Sequence, residues 1–251
     1  MDSVGANQLS ARFRAARDDA RLAVLEGFHP VKHALRFGAE LLEVVAVDPG
    51  EVRVLVAELA PDVGRRLEPR VQVVDAETFA ELVPAPPPTR VVALARRPAD
   101  ELARLVAAPG PGPIVLLDSP RHLGNVGAAI RVAAAAGAEA LAVTGSADPW
   151  HPAAIRGGAG LQFALPVGRV RSAREVARPI VALDPEGEPL RPEAIPSGAA
   201  LAFGSERAGL SPDVARAATL RVALPMRPGV SSLNLATAVA ATLYGLRMSS
   251  D

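Results

Sequence analysis

Three short stretches combine glycines with polar side chains directly after apolar runs. Asn125 and Arg131 lie in "LGNVGAAIRVAAAAGA" (123–138), Glu206 in "FGSERAGLS" (203–211), and Ser232 with Asn234 in "LPMRPGVSSLNLATAVA" (224–240). The first follows "PIVLLD" and opens an alanine-rich helix, the arrangement of a phosphate-binding turn, where helix N–H groups receive an anion. The details of a dinucleotide site are missing, however. A G-x-G-x-x-G turn with Gly124 and Gly127 as its second and third glycines puts His122 in the first place. The ribose-holding acid expected about 20 residues on falls on Thr144, and the next acid is Asp148. No G-x-x-x-x-G-K-[ST] loop is present either.

Each polar residue also has an ordinary structural use. Asn125 suits the cap of the helix that follows. Arg131 suits an exposed helix surface. Glu206 can pair with Arg207 or Arg131, and either Ser231 or Ser232 can cap the last helix, placing Asn234 in its first turn. Gly204, Gly209 and Gly229 suit turns.

The elements that must position these residues alternate regularly. Strands are expected at 114–118, 140–144, 179–183, 199–203 and 219–224, with helices at 126–136, 172–177, 211–217 and 233–247. Runs nearly continuous in Ala, Val and Leu suit a parallel sheet covered on both faces, and ligands of such sheets bind at the carboxyl ends of the strands. Upstream, strands within 41–47, 70–75 and 89–96 alternate with helices ending at Gly38 and spanning 49–60 and 76–83. This predicts a small α/β domain. The Pro-Gly turns at 109–113 mark the joint, giving domains at 1–110 and 111–251. Residues 8–25 read as a charged helical arm.

Composition narrows the classes. With 27 basic and 27 acidic residues among 251, the chain is neutral, so a globally basic nucleic-acid binder is excluded while a local patch is not. Residues 1–110 carry 14 basic and 16 acidic side chains, so any RNA contact there needs a patch such as Arg90, Arg96 and Arg97. Lacking cysteine, the chain has no disulfides, thiolate chemistry or common zinc sites. His29 and His33 have Pro30 between them and no glutamate after the first, so no metal is expected. There is no run of 18 apolar residues and no apolar h-region at the N-terminus, so a cytoplasmic protein without a membrane span is expected.

Together, "NVGAAIR" (125–131), "FGSERAGLS" and "LPMRPGVSSLNLATAVA" resemble, in order and spacing, the three motifs of the SpoU/TrmH branch of the SPOUT RNA methyltransferases. The resemblance covers about 112–248. It implies an α/β fold: a C-terminal parallel-sheet domain with a C-terminal trefoil knot, preceded by a small α/β RNA-binding domain, for which "EGFHPVKHALRFGAELLEVV" is the best-matching stretch. It further implies S-adenosylmethionine as methyl donor, a ribose 2′-hydroxyl of RNA as acceptor, and a homodimer. By analogy the N-terminal extension favours rRNA over tRNA. The family's catalytic positions fall on Arg131, Asn125, Glu206, Ser232 and Asn234, and its cofactor-contacting positions on Gly204, Leu224, Met226 and Leu233. Two departures stand out: Arg207, where many relatives carry glycine, and the stiff "RPG" at 227–229. A non-catalytic RNA-binding relative, a tRNA methyltransferase and a nucleotide-dependent oxidoreductase are the alternatives. The polar set at the motif positions argues against the first, and the missing ribose acid against the last.

Overall fold

Alternating apolar side chains build the first of two units in the computed structural model, which describes residues 3–249. Its elements run α1 (Ser3–Asp18), β1 (Leu22–Glu26), α2 (Phe28–Arg36), β2 (Leu41–Ala46), α3 (Pro49–Leu59), α4 (Gly64–Leu67), β3 (Val71–Val73), α5 (Ala76–Leu82) and β4 (Val91–Arg96). The sheet order is β1-β4-β2-β3, with β4 antiparallel to both neighbours and β3 parallel to β2. Successive strand residues face opposite sides. Val91, Ala93 and Ala95 therefore join Phe28, Val31 and Leu35 on one face, while Val92 and Leu94 meet Leu9, Phe13 and Phe79 on the other. Asp48 and Asp75 start α3 and α5 by accepting hydrogen bonds from the Gly50 and Thr78 amides.

The N-terminal segment differs from expectation. Leu9, Phe13 and Ala16 recur at helical spacing and are buried, so α1 packs on the sheet rather than standing off as an arm. Residues 22–25, expected to continue that helix, belong to β1 instead. Pairing with β4 from Leu22↔Arg96 to Glu26↔Val92 outweighs the helical pattern of the flanking charges.

The second unit contains α6 (Leu102–Val106), β5 (Ile114–Leu117), α7 (Leu123–Ala136), β6 (Ala140–Val143), β7 (Val167–Arg169), β8 (Ile180–Pro189), β9 (Ala200–Phe203), α9 (Pro212–Ala217), β10 (Ala218–Ala223) and α10 (Leu235–Met248); α8 (Pro152–Gly157) belongs to the first. Its six strands are all parallel, in the order β10-β8-β9-β5-β6-β7. Ile114 and Leu116, Ala140 and Ala142, and Ala200 and Ala202 pack one face. From β5 the chain moves through α7 to β6, whereas from β9 it moves the other way, through α9 to β10. The crevice between the carboxyl ends of β5 and β9 is thus the switch point where such sheets bind ligands. Strand β7 was not expected, and the helix expected at 172–177 shrinks to a single 3-10 turn at Ala173–Glu175.

The two units divide at Ala99/Asp100 rather than at 110/111, and Trp150–Ala164 returns to the first. Leu102 and Val106 of α6 join the core of the second unit, which carries the Pro-Gly joint inside it. There the Arg178 side chain, 1% exposed, pairs with Glu139 at 2.7 Å and donates to the carbonyls of Ala108 and Gly112 at 2.9 Å each. The returning segment is held by apolar packing of Trp150 and Ile155. His33 Nδ1 lies 2.7 Å from the Ala159 carbonyl. Gly160 has φ +78°, and a Cβ on it would lie 2.6 Å from the Pro30 backbone, so a larger residue cannot close this contact.

Candidate active site

Strands β5 and β9 run side by side, with Leu117 paired to Phe203, and the chain turns sharply beyond both. After β5, the buried Asp118 carboxylate accepts from the Thr144 hydroxyl at 2.8 Å and from the Ser211 amide at 2.6 Å, tying three loops together. After β9, residues 205–209 form a tight hairpin in which Ser205 and Gly209 exchange backbone hydrogen bonds of 2.9 and 3.1 Å. Gly204 makes this possible, since a Cβ there would lie 2.3 Å from the Gly209 carbonyl carbon.

The hairpin brings Glu206 to the first turn of α7. Asn125 Nδ2 donates to Glu206 Oε1 at 2.9 Å, and the Arg121 amide donates to Oε2 at 3.1 Å. Asn234 Nδ2 donates in turn to Asn125 Oδ1 at 3.1 Å. Residues from all three motifs thus form one continuous network. Partial burial acts to raise the Glu206 carboxyl, but hydrogen bonds from Asn125 and from the backbone amides of Glu206, Arg121 and His122 outweigh it. The group is held below the usual glutamate range, as a carboxylate.

These contacts replace three of the expected structural uses. Asn125 does not cap α7: His122 occupies that position and Asn125 sits in the first turn. Asn234, not a serine, caps α10, its Oδ1 accepting from the Ala236 and Thr237 amides at 3.0 and 3.4 Å. Glu206 pairs with neither Arg207 nor Arg131. Among the described residues the Ser232 hydroxyl makes no hydrogen bond, and Ser232 is exposed.

Beside the network lies a cavity of about 650 Å³. Its wall includes all four expected cofactor positions, Gly204, Leu224, Met226 and Leu233, as well as Glu206, Ser232 and Asn234. Size and lining match a ligand pocket, mostly apolar with a few convergent polar groups. Asn125 stands behind the wall, tied to it through Glu206 and Asn234. Arg131 is not brought to the network. Six residues along α7, it lies about 120° round the helix from Asn125, exposed and without a hydrogen bond or ion pair among the described residues.

The β8 side of the cavity, formed by Leu183, Asp184 and Pro185 with Arg221 from β10, was not expected from the sequence. Asp184 accepts from Arg221 Nη2 at 2.5 Å and from the Glu186 amide at 3.0 Å. Burial acts to raise its carboxyl, but these donors prevail and hold it below the usual range. The available signal was positional: "LDP" closes the strand expected at 179–183, where ligands of parallel sheets bind.

Comparison with known proteins agrees with this geometry. The profile of the SpoU rRNA Methylase family matches residues 112–244. A 23S rRNA (uridine(2479)-2′-O)-methyltransferase of Streptomyces viridochromogenes is 36% identical over 172 residues, covering 62% of this chain and 59% of that protein. A 23S rRNA (adenosine(1067)-2′-O)-methyltransferase of Streptomyces laurentii is 29% identical, covering 91% of this chain and 87% of that protein. Among solved structures, the SpoU methyltransferase AviRb of Streptomyces viridochromogenes, in complex with AdoMet, superimposes with a TM-score of 0.75 at 29% identity. It covers 100% of this chain and 99% of that one. With its three motifs joined in one network at the switch point of a parallel sheet, and the profile spanning that whole sheet, the chain belongs to the SpoU rRNA methylase family.

Proposed function

We propose that this protein transfers a methyl group from S-adenosylmethionine to a ribose 2′-hydroxyl of RNA, and of 23S rRNA rather than tRNA. The observation that carries the reading is the Glu206–Asn125–Asn234 network on the rim of the cavity lined from β8, β9 and β10. The cavity fits the donor: apolar side chains of Leu224, Met226 and Leu233 suit a purine, and Gly204 lets backbone approach closely. When bound, the donor supplies a methyl group already activated on a sulfonium, so the protein's task is to position the acceptor and exclude water.

The residues divide that task. Both Glu206 oxygens are committed to donors, so Glu206 fixes Asn125 rather than taking a proton. Asn234 joins Asn125 to the start of α10, and the unpartnered Ser232 hydroxyl lies on the same rim. A guanidinium only donates, so Arg131 fits a role in holding substrate phosphate and stabilising developing charge on the acceptor oxygen.

The rRNA preference is supported by the named substrates of the relatives. A trefoil knot is supported by the chain path, which leaves central β9 for edge strand β10 and returns to place Asn234 against Asn125. A homodimer is supported by exposed Val230, Leu233, Tyr244 and Met248 beside and along α10, which buries its Leu235, Val239, Thr242 and Leu243 side. Among the described residues no helix is long and apolar enough to cross a membrane, consistent with work on cytoplasmic RNA. RNA contact by the first unit cannot use the expected patch freely: Arg90 and Arg96 pair with Glu51 and Glu40, and Arg97 donates to the Leu22 carbonyl.

Calorimetry with S-adenosylmethionine, followed by transfer of labelled methyl to 23S rRNA and tRNA transcripts, tests the reading. Saturable cofactor binding and 2′-O-methylated 23S rRNA are expected. No cofactor binding, or labelling of tRNA alone, would overturn it.

A further inference from the structure

We infer that Arg121 and Arg207 form a two-arginine clamp for a backbone phosphate of the RNA, adjoining the acceptor ribose. The inference deepens the methyltransferase reading and rests on it. It starts from a charge imbalance. The chain as a whole is neutral, yet residues 119–136 and 204–234, the segments that Asn125, Glu206 and Asn234 join beside the cavity, hold six arginines against two acids, Glu206 and Asp213. Both acids are already engaged: Glu206 by Asn125 and the Arg121 amide, Asp213 by the Ala173 amide and Arg174. Of the six arginines, Arg221 is neutralised by Asp184. The side chains of Arg121, Arg131, Arg207, Arg216 and Arg227 are exposed and have no hydrogen bond or ion pair among the described residues.

Arg121 and Arg207 are set apart from the others by their backbone. The Arg121 amide donates to Glu206 Oε2 at 3.1 Å, and Arg207 is the next residue after Glu206. Summing that contact with chain geometry puts their Cα atoms within about 13 Å. Neither backbone is loose. Glu206 locks the 119–122 turn to the hairpin, and the hairpin is closed by Ser205 and Gly209, with the Ala208 amide on the Ser205 hydroxyl at 3.2 Å. The hairpin tip therefore turns one side chain, Glu206, into the network and leaves the next, Arg207, exposed to solvent. Two exposed arginines on rigid backbone, neither side chain paired with a carboxylate among the described residues, suit the planar, bidentate recognition of phosphate. An acidic peptide lacks the regular phosphate spacing that engages further arginines such as Arg227 along the same rim.

The test measures binding of a protein-free 23S rRNA transcript as a function of salt, together with steady-state methylation. For Arg207→Glu and Arg121→Glu, KM for RNA is expected to rise at least tenfold with kcat changed only a few-fold. The slope of log affinity against log salt should fall by about 0.7–0.9 for each phosphate no longer neutralised. Arg207→Lys should retain the slope but not the full affinity, since it keeps charge without the fork. Calorimetry with S-adenosylmethionine should be unchanged, which shows that the variants are folded. If RNA affinity and salt slope match the wild type in both charge reversals, the clamp is overturned. If the wild type binds RNA with a slope that the variants lack, yet methylates nothing, the clamp stands and the methyltransferase reading fails.

Discussion

Asn125 and Glu206, 81 residues apart in the chain, are joined by a 2.9 Å hydrogen bond across the switch point of the parallel sheet. The amide is held at both ends, because its oxygen also accepts from Asn234. Two of its hydrogen-bonding groups serve to fix its orientation, and the second Nδ2 hydrogen remains available for an acceptor. Asn125→Ala removes the bridge between Glu206 and Asn234 without touching the cavity wall. Methyl transfer should fall about 100-fold, the cost of a small misplacement of a reacting group, while S-adenosylmethionine affinity stays within a few-fold. A calorimetric loss of cofactor binding equal to the loss of rate would place Asn125 in the cofactor site instead.

The depressed Glu206 carboxyl has a consequence in acid. Its folded-state pKa lies below the unperturbed 4.5, so in the acid range the unfolded chain binds more protons there than the folded one. The stabilisation it provides is complete above that value and is lost as pH falls through the folded pKa. The difference in melting temperature between the wild type and Glu206→Gln should therefore be constant from about pH 7 to about pH 5 and shrink in stronger acid. A difference that stays constant down to about pH 3 contradicts the hydrogen-bonded carboxylate.

Much of this site was legible because the family motifs sit where parallel strands end, and "IVLL" and "ALAF" are fully buried strands that periodicity can find. What periodicity cannot supply is which side chain folds back on which amide. Ser231, Ser232 and Asn234 are all good caps, and only the path that sets Asn234 against Asn125 selects among them. Strand β7 is three residues long and contains a glycine, too short for an alternation signal. The return of Trp150–Ala164 to the first unit depends on packing between distant segments, such as Gly160 against Pro30, for which no local pattern exists.

Arg178 and Glu139 give a prediction about the fold alone. Arg178 is the buried partner, and it satisfies carbonyls of the 105–112 segment as well as Glu139. Burial acts to raise the Glu139 carboxyl, but the Gly112 amide and Arg178 hold it below the usual range. Arg178→Met leaves Glu139 Oε2 and these carbonyls without the guanidinium donor and should destabilise by about 3–5 kcal/mol, the cost of breaking a buried pair. Denaturant unfolding of Arg178→Met, Glu139→Met and the double variant measures it. The double variant should cost less than the sum of the singles, because the stranded carboxylate is gone. Strict additivity would mean that the pair is not coupled.

Arg131, like Ser232, is a motif residue without a hydrogen bond or ion pair among the described residues, and this makes its substitution informative. Since it is exposed, Arg131→Ala breaks no hydrogen bond or ion pair among the described residues. Alanine is also the better helix former, so the melting temperature should hold or rise slightly. Cofactor affinity should be unchanged within a few-fold, because Arg131 is not on the cavity wall. Methyl transfer, however, should fall by hundreds-fold or more, corresponding to roughly 3–4 kcal/mol for a lost donor to developing charge. Arg131→Lys separates charge from geometry: it keeps a cation but not the fork, and should recover little of the rate. Near wild-type methylation by the lysine variant would mean that Arg131 contributes only positive charge. Full activity in both variants would return Arg131 to an ordinary place on the surface of α7.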